Sequence, residues 1–79
     1  MFSRTVAQES FEISPRFRRS LQERIARLER DAESDEARVA ELSCEDHIHR
    51  HMRLVAAQRT EALRMRLFLD RAGTRLPGL

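Results

Sequence analysis

The sequence predicts an all-α protein, an antiparallel helical hairpin that self-associates into a helical bundle or coiled coil. First, neither Gly nor Pro occurs between Pro15 and Gly73, and the turns of a multi-stranded fold need those residues. Second, apolar residues recur every three or four positions in two long segments. Third, the chain has 79 residues, of which 35% are charged, a composition that suits exposed helices better than a compact globule.

Residues 1–13 are predicted to form a flexible or helical lead. They carry the scattered apolar side chains Phe2, Val6, Phe11 and Ile13. The lead is interpreted either as a frayed helix or as a strap lying over an apolar surface. The hairpin is assigned to residues 14–73, and residues 74–79 are assigned to a tail.

The first helix is predicted to span about residues 15–42. Ser14 is a suitable N-cap, and Pro15 suits the first helical position because the N–H that it lacks has no partner there. Steps of three and four residues then connect the apolar positions of one face, with a gap at Asp35. These positions are Phe17, Leu21, Ile25, Leu28, Ala32, Val39 and Leu42.

The second helix is predicted to span about residues 44–72. The face expected to pack against the other helix, called its seam, has two rows of residues. One row has apolar residues seven apart, at Ile48, Val55, Ala62 and Leu69. The complementary row holds Cys44, His51, Gln58, Met65 and Ala72. Gly73 is expected to end the helix as a left-handed C′ residue, with Pro77 following in the tail.

The apolar face of the first helix and the seam of the second are out of phase: steps of three and four residues from Leu42 reach Asp46 and His49 instead of Cys44 and Ile48. This mismatch indicates a break between the helices. A break near Ser43 is favoured, because Ser43 followed by Asp46 matches a capping box and gives two helices of nearly equal length. The sequence ESDE at residues 33–36 is the rival position, with Ser34 as the cap. One long bent helix is the third alternative.

Charge is segregated along the chain, although the net charge is only +2. Residues 29–46 contain eight acids and two arginines, whereas the segments on either side are basic. A hairpin would collect the acids near its tip and the arginines at its open base, forming a dipolar rod. Six arginines of that base are candidate anion contacts: Arg16, Arg18, Arg19, Arg64, Arg66 and Arg71.

Cysteine and histidine cluster in one short stretch, CEDHIHRH at residues 44–51. On a helix, Cys44, His47 and His51 share one face, and these are zinc ligand types. Because His49 points away from that face and no Cys or His occurs outside this stretch to complete four ligands, a structural role is favoured over a metal site. Neither a metal nor a cofactor is expected.

Enzymatic activity is not expected. The sequence has no glycine-rich phosphate loop and no nucleophile set beside a base, and a two-helix rod offers no substrate-sized pocket. Cys44 is the single cysteine, so an internal disulfide cannot form, and a reducing cytoplasm is the expected location. No segment approaches the roughly twenty apolar residues of a membrane span.

Two arginine-rich stretches carry a resemblance to a known family. RLVAAQRTEALRMR at residues 53–66, followed by DRAG at 70–73, resembles the C-terminal cytoplasmic helical tail of bacterial sodium/proton antiporters. FRRSLQERIARLE at residues 17–29 is similar to an upstream helix of such tails. The resemblance covers about residues 15–73 and implies a detached regulatory tail. No ion site or transport activity is carried over.

The predicted function is a small, non-enzymatic module for protein–protein interaction or regulation. A lone hairpin shields each seam from one side only, so a second copy or another protein is needed to cover the rest. The alternative is nucleic-acid binding through the arginine-rich base, whose phosphate contacts would be salt-dependent. The predicted interaction face comprises Leu21, Ile25, Leu28, Ile48, Val55, Met65, Phe68 and Leu69.

Overall fold

The protein is a helical hairpin with a two-stranded sheet, three residues in each strand, at the end opposite the turn. The computed structural model describes residues 11–75. The elements are β1 (Phe11–Ile13), α1 (Pro15–Val39), α2 (Glu45–Arg71) and β2 (Ala72–Thr74). The two helices pack against each other along their length, which confirms the predicted helical hairpin.

Helix α1 begins where the sequence predicts. Ser14 has extended backbone angles (φ −71°, ψ 154°), and its Oγ accepts a hydrogen bond from the backbone N–H of Phe17 at 3.1 Å. Pro15 occupies the first turn, where no N–H is needed. The helix ends at Val39 rather than at residue 42, and Ala40 is its C-cap.

The break between the helices lies at residues 40–44. The predicted break near residue 43 is therefore confirmed, whereas the break at 33–36 and the single long helix are wrong, because residues 33–36 lie inside α1. The capping box is also wrong. Cys44, not Ser43, is the N-cap of α2, and it makes no side-chain capping hydrogen bond. Glu45 and Asp46 still place negative charge near the positive end of the helix dipole.

The second helix ends in a strand instead of a left-handed turn. Helix α2 stops at Arg71, one residue before the predicted end. Ala72 is already extended (φ −82°, ψ 134°), and Gly73 lies in β2. The prediction of a left-handed Gly73 is wrong because the chain continues into pairing with β1.

Strands β1 and β2 form a parallel pair. Phe11 is opposite Ala72, and Ile13 is opposite Thr74. The backbone N–H of Arg75 donates a hydrogen bond of 2.8 Å to the carbonyl of Ile13. The part of the lead at residues 11–13 is thus a strand rather than a helix. The remainder of the lead, with Phe2 and Val6, and tail residues 76–79 lie outside the described residues.

The core lies between the helices and under β1. The predicted seams face one another, except at Cys44 and Phe17, which are exposed. Three of the buried positions carry the small side chain of Ala. The main cluster contains Ile13, Ile25, Ala62, Leu69 and Ala72, with Leu21, Leu28 and Met65 packed against it; Ala32 and Val55 are buried nearer the tip.

Candidate interaction surface

The two flanks of the helix pair differ in chemistry. At 100° per residue, positions 17, 21 and 28 of α1 fall on one side of the seam, and positions 18, 22 and 29 fall on the other. We call the first side, with its partners from α2, the apolar flank: Phe17, Leu21, Leu28, Met65 and Phe68. The second side is the polar flank: Arg18, Gln22, Glu29, Arg59 and Arg66.

Three of the chain's four phenylalanines meet at the open end of the apolar flank. The ring centroids of Phe11 and Phe68 are 5.1 Å apart, and those of Phe17 and Phe68 are 6.4 Å apart in a T-shaped arrangement. Phe17 is nevertheless 47% exposed and Phe68 is 37% exposed. Together with Leu21 and Met65 they line an almost entirely apolar groove, with Arg64 at its edge. The cluster is a hydrophobic surface that the hairpin itself leaves partly uncovered.

The polar flank is covered by ion pairs between the helices. Arg66 donates two hydrogen bonds to the carboxylate of Glu29, at 2.8 and 2.7 Å, and Arg59 donates one to Glu36 at 2.6 Å. Because these hydrogen bonds favour the charged carboxylate, the pKa of Glu29 and that of Glu36 are lowered from the ordinary value of 4.5. The same bonds raise the pKa of Arg66 and of Arg59. Since Glu29 pairs with Arg66 while Glu36 pairs with Arg59, the pairs also show that the helices run antiparallel.

A polar pair fills the gap that the sequence shows at Asp35. Nε2 of Gln58 donates a hydrogen bond of 3.1 Å to Oδ2 of Asp35 across the helix interface. Nε2 of His51 lies 3.8 Å from the other carboxylate oxygen, which is too long for a direct hydrogen bond. The two seams therefore place their polar residues against each other instead of against apolar side chains.

The predicted anion contacts divide into two groups. Two are already engaged within the hairpin: Nη2 of Arg18 donates to the carbonyl of Ala72 at 2.6 Å, and Arg66 binds Glu29. The other four, Arg16, Arg19, Arg64 and Arg71, are exposed. The dipolar rod needs a correction as well. Because Glu29 and Glu36 face arginines of α2, part of the acidic segment is neutralised within the hairpin and does not crowd at the tip.

The predicted interaction face is only partly on the surface. Ile25, Val55 and Leu69 are buried in the hairpin's own core, so they are not available to a partner. The half-buried members are Leu21, Leu28, Ile48 and Met65, and Phe68 is exposed. The predicted interaction face omitted six exposed large apolar residues, although the sequence had already placed Phe17 on the apolar face of the first helix and Phe11 in the lead. These six are Phe11, Phe17, Met52, Leu54, Leu63 and Leu67.

The residues of the possible zinc site point to no common centre. Cys44 and His47 are exposed, whereas His51 is half-buried against Asp35. Within residues 11–75, no group of three or more His, Cys, Asp or Glu side chains is arranged to hold a metal ion. In that same part of the chain, no helix is both long enough and apolar enough to cross a membrane.

Comparisons with known proteins found no relative of this chain. No protein-family model, no curated protein and no solved structure matches this chain. The resemblance to antiporter tails therefore stays a prediction.

Proposed function

We propose that the protein is a non-enzymatic helical interaction module that self-associates through its apolar flank. The observation that carries the proposal is the contrast between the two flanks. The polar flank has its charged groups paired within the hairpin and exposes Leu63 at the edge of its groove, whereas the apolar flank leaves the aromatic cluster of Phe17 and Phe68 partly exposed to water. A contiguous exposed apolar patch is typical of an interaction site, whereas single scattered apolar side chains on a surface are ordinary.

The face of the hairpin that carries the apolar flank is large enough for a stable interface. Helix α1 has 25 residues, and at a rise of 1.5 Å per residue it is about 37 Å long. Two packed helices, each about 10 Å wide, then present roughly 740 Å² on one side. This area is close to the roughly 800 Å² that each partner contributes to a standard protein–protein interface. A four-helix bundle of two hairpins is therefore a suitable assembly.

The nucleic-acid alternative has less support. Arg18 and Arg66 are engaged by the hairpin's own acceptors, and the acids of α1 lie on the same rod as the exposed arginines. A phosphate backbone that follows the rod would meet both charge signs. Catalysis is not proposed either, because the grooves found among the described residues are open clefts between the two helices.

Light scattering at micromolar concentration tests the proposal. We expect at least a dimer for the natural chain. Phe17→Ser should weaken the assembly about tenfold or more, because it removes an aromatic anchor from the apolar flank. Leu63→Ser is the matched control, since Leu63 is 54% exposed but borders the groove of the polar flank.

Circular dichroism of each variant shows whether the hairpin is still folded. A natural chain that is helical, cooperatively folded and monomeric at this concentration contradicts the proposal. Equal weakening by Phe17→Ser and Leu63→Ser would mean that association does not use the apolar flank.

A further inference from the structure

We infer that the apolar flank binds a second copy of this chain in antiparallel orientation, with Arg24 of each copy paired to Asp31 of the other. The inference rests on the proposed self-association and specifies its partner, orientation and register. It places a two-fold axis beside Leu28, with α1 packed against α1 of the partner. The partner's acidic α1 half then lies against this copy's basic half.

The spacing of charges about Leu28 is self-complementary. Arg24 precedes Leu28 by four residues and Asp31 follows it by three, and both are exposed on the same side of α1 as Leu28. Along the helix axis these steps correspond to about 6 Å and 4.5 Å. A two-fold axis at Leu28 reverses the partner helix, so Asp31 of the partner comes within about 1.5 Å of Arg24 in axial position. The symmetry repeats the pair on the other side of the axis.

The charge distribution along α1 favours the antiparallel orientation. When Arg18, Glu29 and Glu36, which are engaged within the hairpin, are left out, residues 15–28 hold four arginines and one acid, and residues 29–39 hold three acids and two arginines. A parallel partner would set the two strongly basic halves against each other, whereas an antiparallel partner sets each basic half against the slightly acidic one. Leu28 is also one residue from the midpoint of α1, so an axis there overlaps almost the whole helix.

The hairpin leaves both members of the proposed pair without an ionic partner. Among residues 11–75, the ion pairs use Glu12, Glu29, Asp35 and Glu36, and neither Arg24 nor Asp31 takes part in one. The acids of the polar flank, by contrast, bind arginines of α2. The charges beside Leu28 are thus available to a second chain.

Charge reversal and mixing test the inference on the full chain. Arg24→Glu alone and Asp31→Arg alone each create two repulsive pairs in a homodimer, and each should raise the dimer dissociation constant about tenfold or more. An equimolar mixture of the two variants should restore association. In that heterodimer, Glu at position 24 faces Arg at position 31, and the unchanged Asp31 faces the unchanged Arg24. Native mass spectrometry separates the heterodimer from both homodimers.

Glu23→Arg and Arg30→Glu provide the matched control. These positions are also seven residues apart and exposed, but helix geometry places them on the outer face of α1. They should leave the dissociation constant within about twofold of the natural value, singly and mixed. Helicity measured for every variant separates weaker association from unfolding.

Three results would overturn the inference. If the natural chain is dimeric but single reversals leave its affinity unchanged, the register is wrong and self-association stands. If both single variants lose affinity and the mixture does not restore it, Arg24 and Asp31 do not face each other. If the natural chain is a folded monomer, both this inference and the proposed function fail.

Discussion

The two ends of the hairpin are built from different interactions. The base end comprises β1, β2 and the adjoining helix turns, and its core is formed by Ile13, Ile25 and Leu69. The tip end comprises residues 40–44 and the parts of α1 and α2 next to them, as far as Asp35 and Gln58. There the interface contains a polar pair, Asp35 with Gln58, besides a few small apolar side chains.

The base and the tip therefore contribute to different properties, the base to the stability of the fold and the tip to the register of the two helices. Apolar burial at the base contributes free energy in proportion to the area removed from water. A polar pair in a helix interface contributes less, but it disfavours registers in which either member would face an apolar side chain. We infer that the base supplies most of the folding free energy and that the tip fixes how α1 and α2 align.

The largest expected effect is at the base. Ile25→Ala should lower the free energy of unfolding by about 2–4 kcal/mol, because Ile25 is 4% exposed and truncation leaves a cavity in the main cluster. Urea unfolding monitored by circular dichroism measures this change at a fixed protein concentration. Leu67→Ala is the control, with a change below about 0.5 kcal/mol, because Leu67 is 50% exposed. Equal losses in the two variants would contradict a core at the base.

Local sequence patterns predicted the helices well because helix periodicity is a local property. The seam positions Ile25, Val55 and Leu69 were found from spacing alone, and the phase shift between the seams located the break. The sheet was not predictable in this way. The pairing of Phe11 with Ala72 joins residues about sixty positions apart, and neither three-residue strand has a pattern of its own.

The same limit applies to the candidate surface. Spacing identified Leu21, Leu28 and Met65 as seam residues, but it did not show which side of the seam stays open. That depends on which charges find partners across the two helices, such as Glu29 with Arg66. The gap at Asp35 and the Gln at position 58 were both visible in the sequence. Their pairing follows only once the antiparallel register is known.

The next largest effect is expected at the tip. Gln58→Leu removes the hydrogen bond to Asp35 and leaves that carboxylate partly buried, so the free energy of unfolding should fall by about 1–2 kcal/mol. The double variant Asp35→Leu with Gln58→Leu should recover that loss, since an apolar pair then fills the interface.

A thermodynamic cycle over the two single variants and the double variant measures their coupling. Gln22→Leu, at an exposed position of the polar flank, is the control and should change stability by less than about 0.5 kcal/mol. Additive losses at positions 35 and 58 would show that the polar pair does not act as a unit.

A smaller change, of opposite sign, is expected from Gly73→Ala at the base. Gly73 lies in the extended strand β2, and an added Cβ would meet Cγ of Glu12 and the carbonyl of Phe11 at 3.6 Å, an ordinary contact distance. Alanine also lowers the entropy of the unfolded chain, so stability should rise by about 0.4–1 kcal/mol. A loss of about 1 kcal/mol in thermal or urea unfolding would instead indicate the left-handed helix end that the sequence alone suggests.

The smallest effect concerns the two exposed ion pairs, one nearer each end of the hairpin. The hydrogen bonds from Arg66 and Arg59 hold the pKa of Glu29 and of Glu36 below 4.5 in the folded chain. Between the lowered folded pKa and 4.5, the unfolded chain therefore binds more protons than the folded one. The stabilisation from these pairs is fully present above about pH 4.5 and is lost as pH falls through the folded pKa.

Thermal unfolding at pH 6 and pH 3.5 should accordingly give a lower melting temperature at the acidic value. The double variant Glu29→Gln with Glu36→Gln should show a smaller decrease, because its glutamines do not titrate. Both carboxylates are exposed, so added salt should weaken the difference between the natural chain and the variant. Glu23→Gln, on the outer face, controls for the loss of one negative charge. If the double variant and the natural chain lose the same number of degrees on acidification, these pairs do not contribute to the stability of either end.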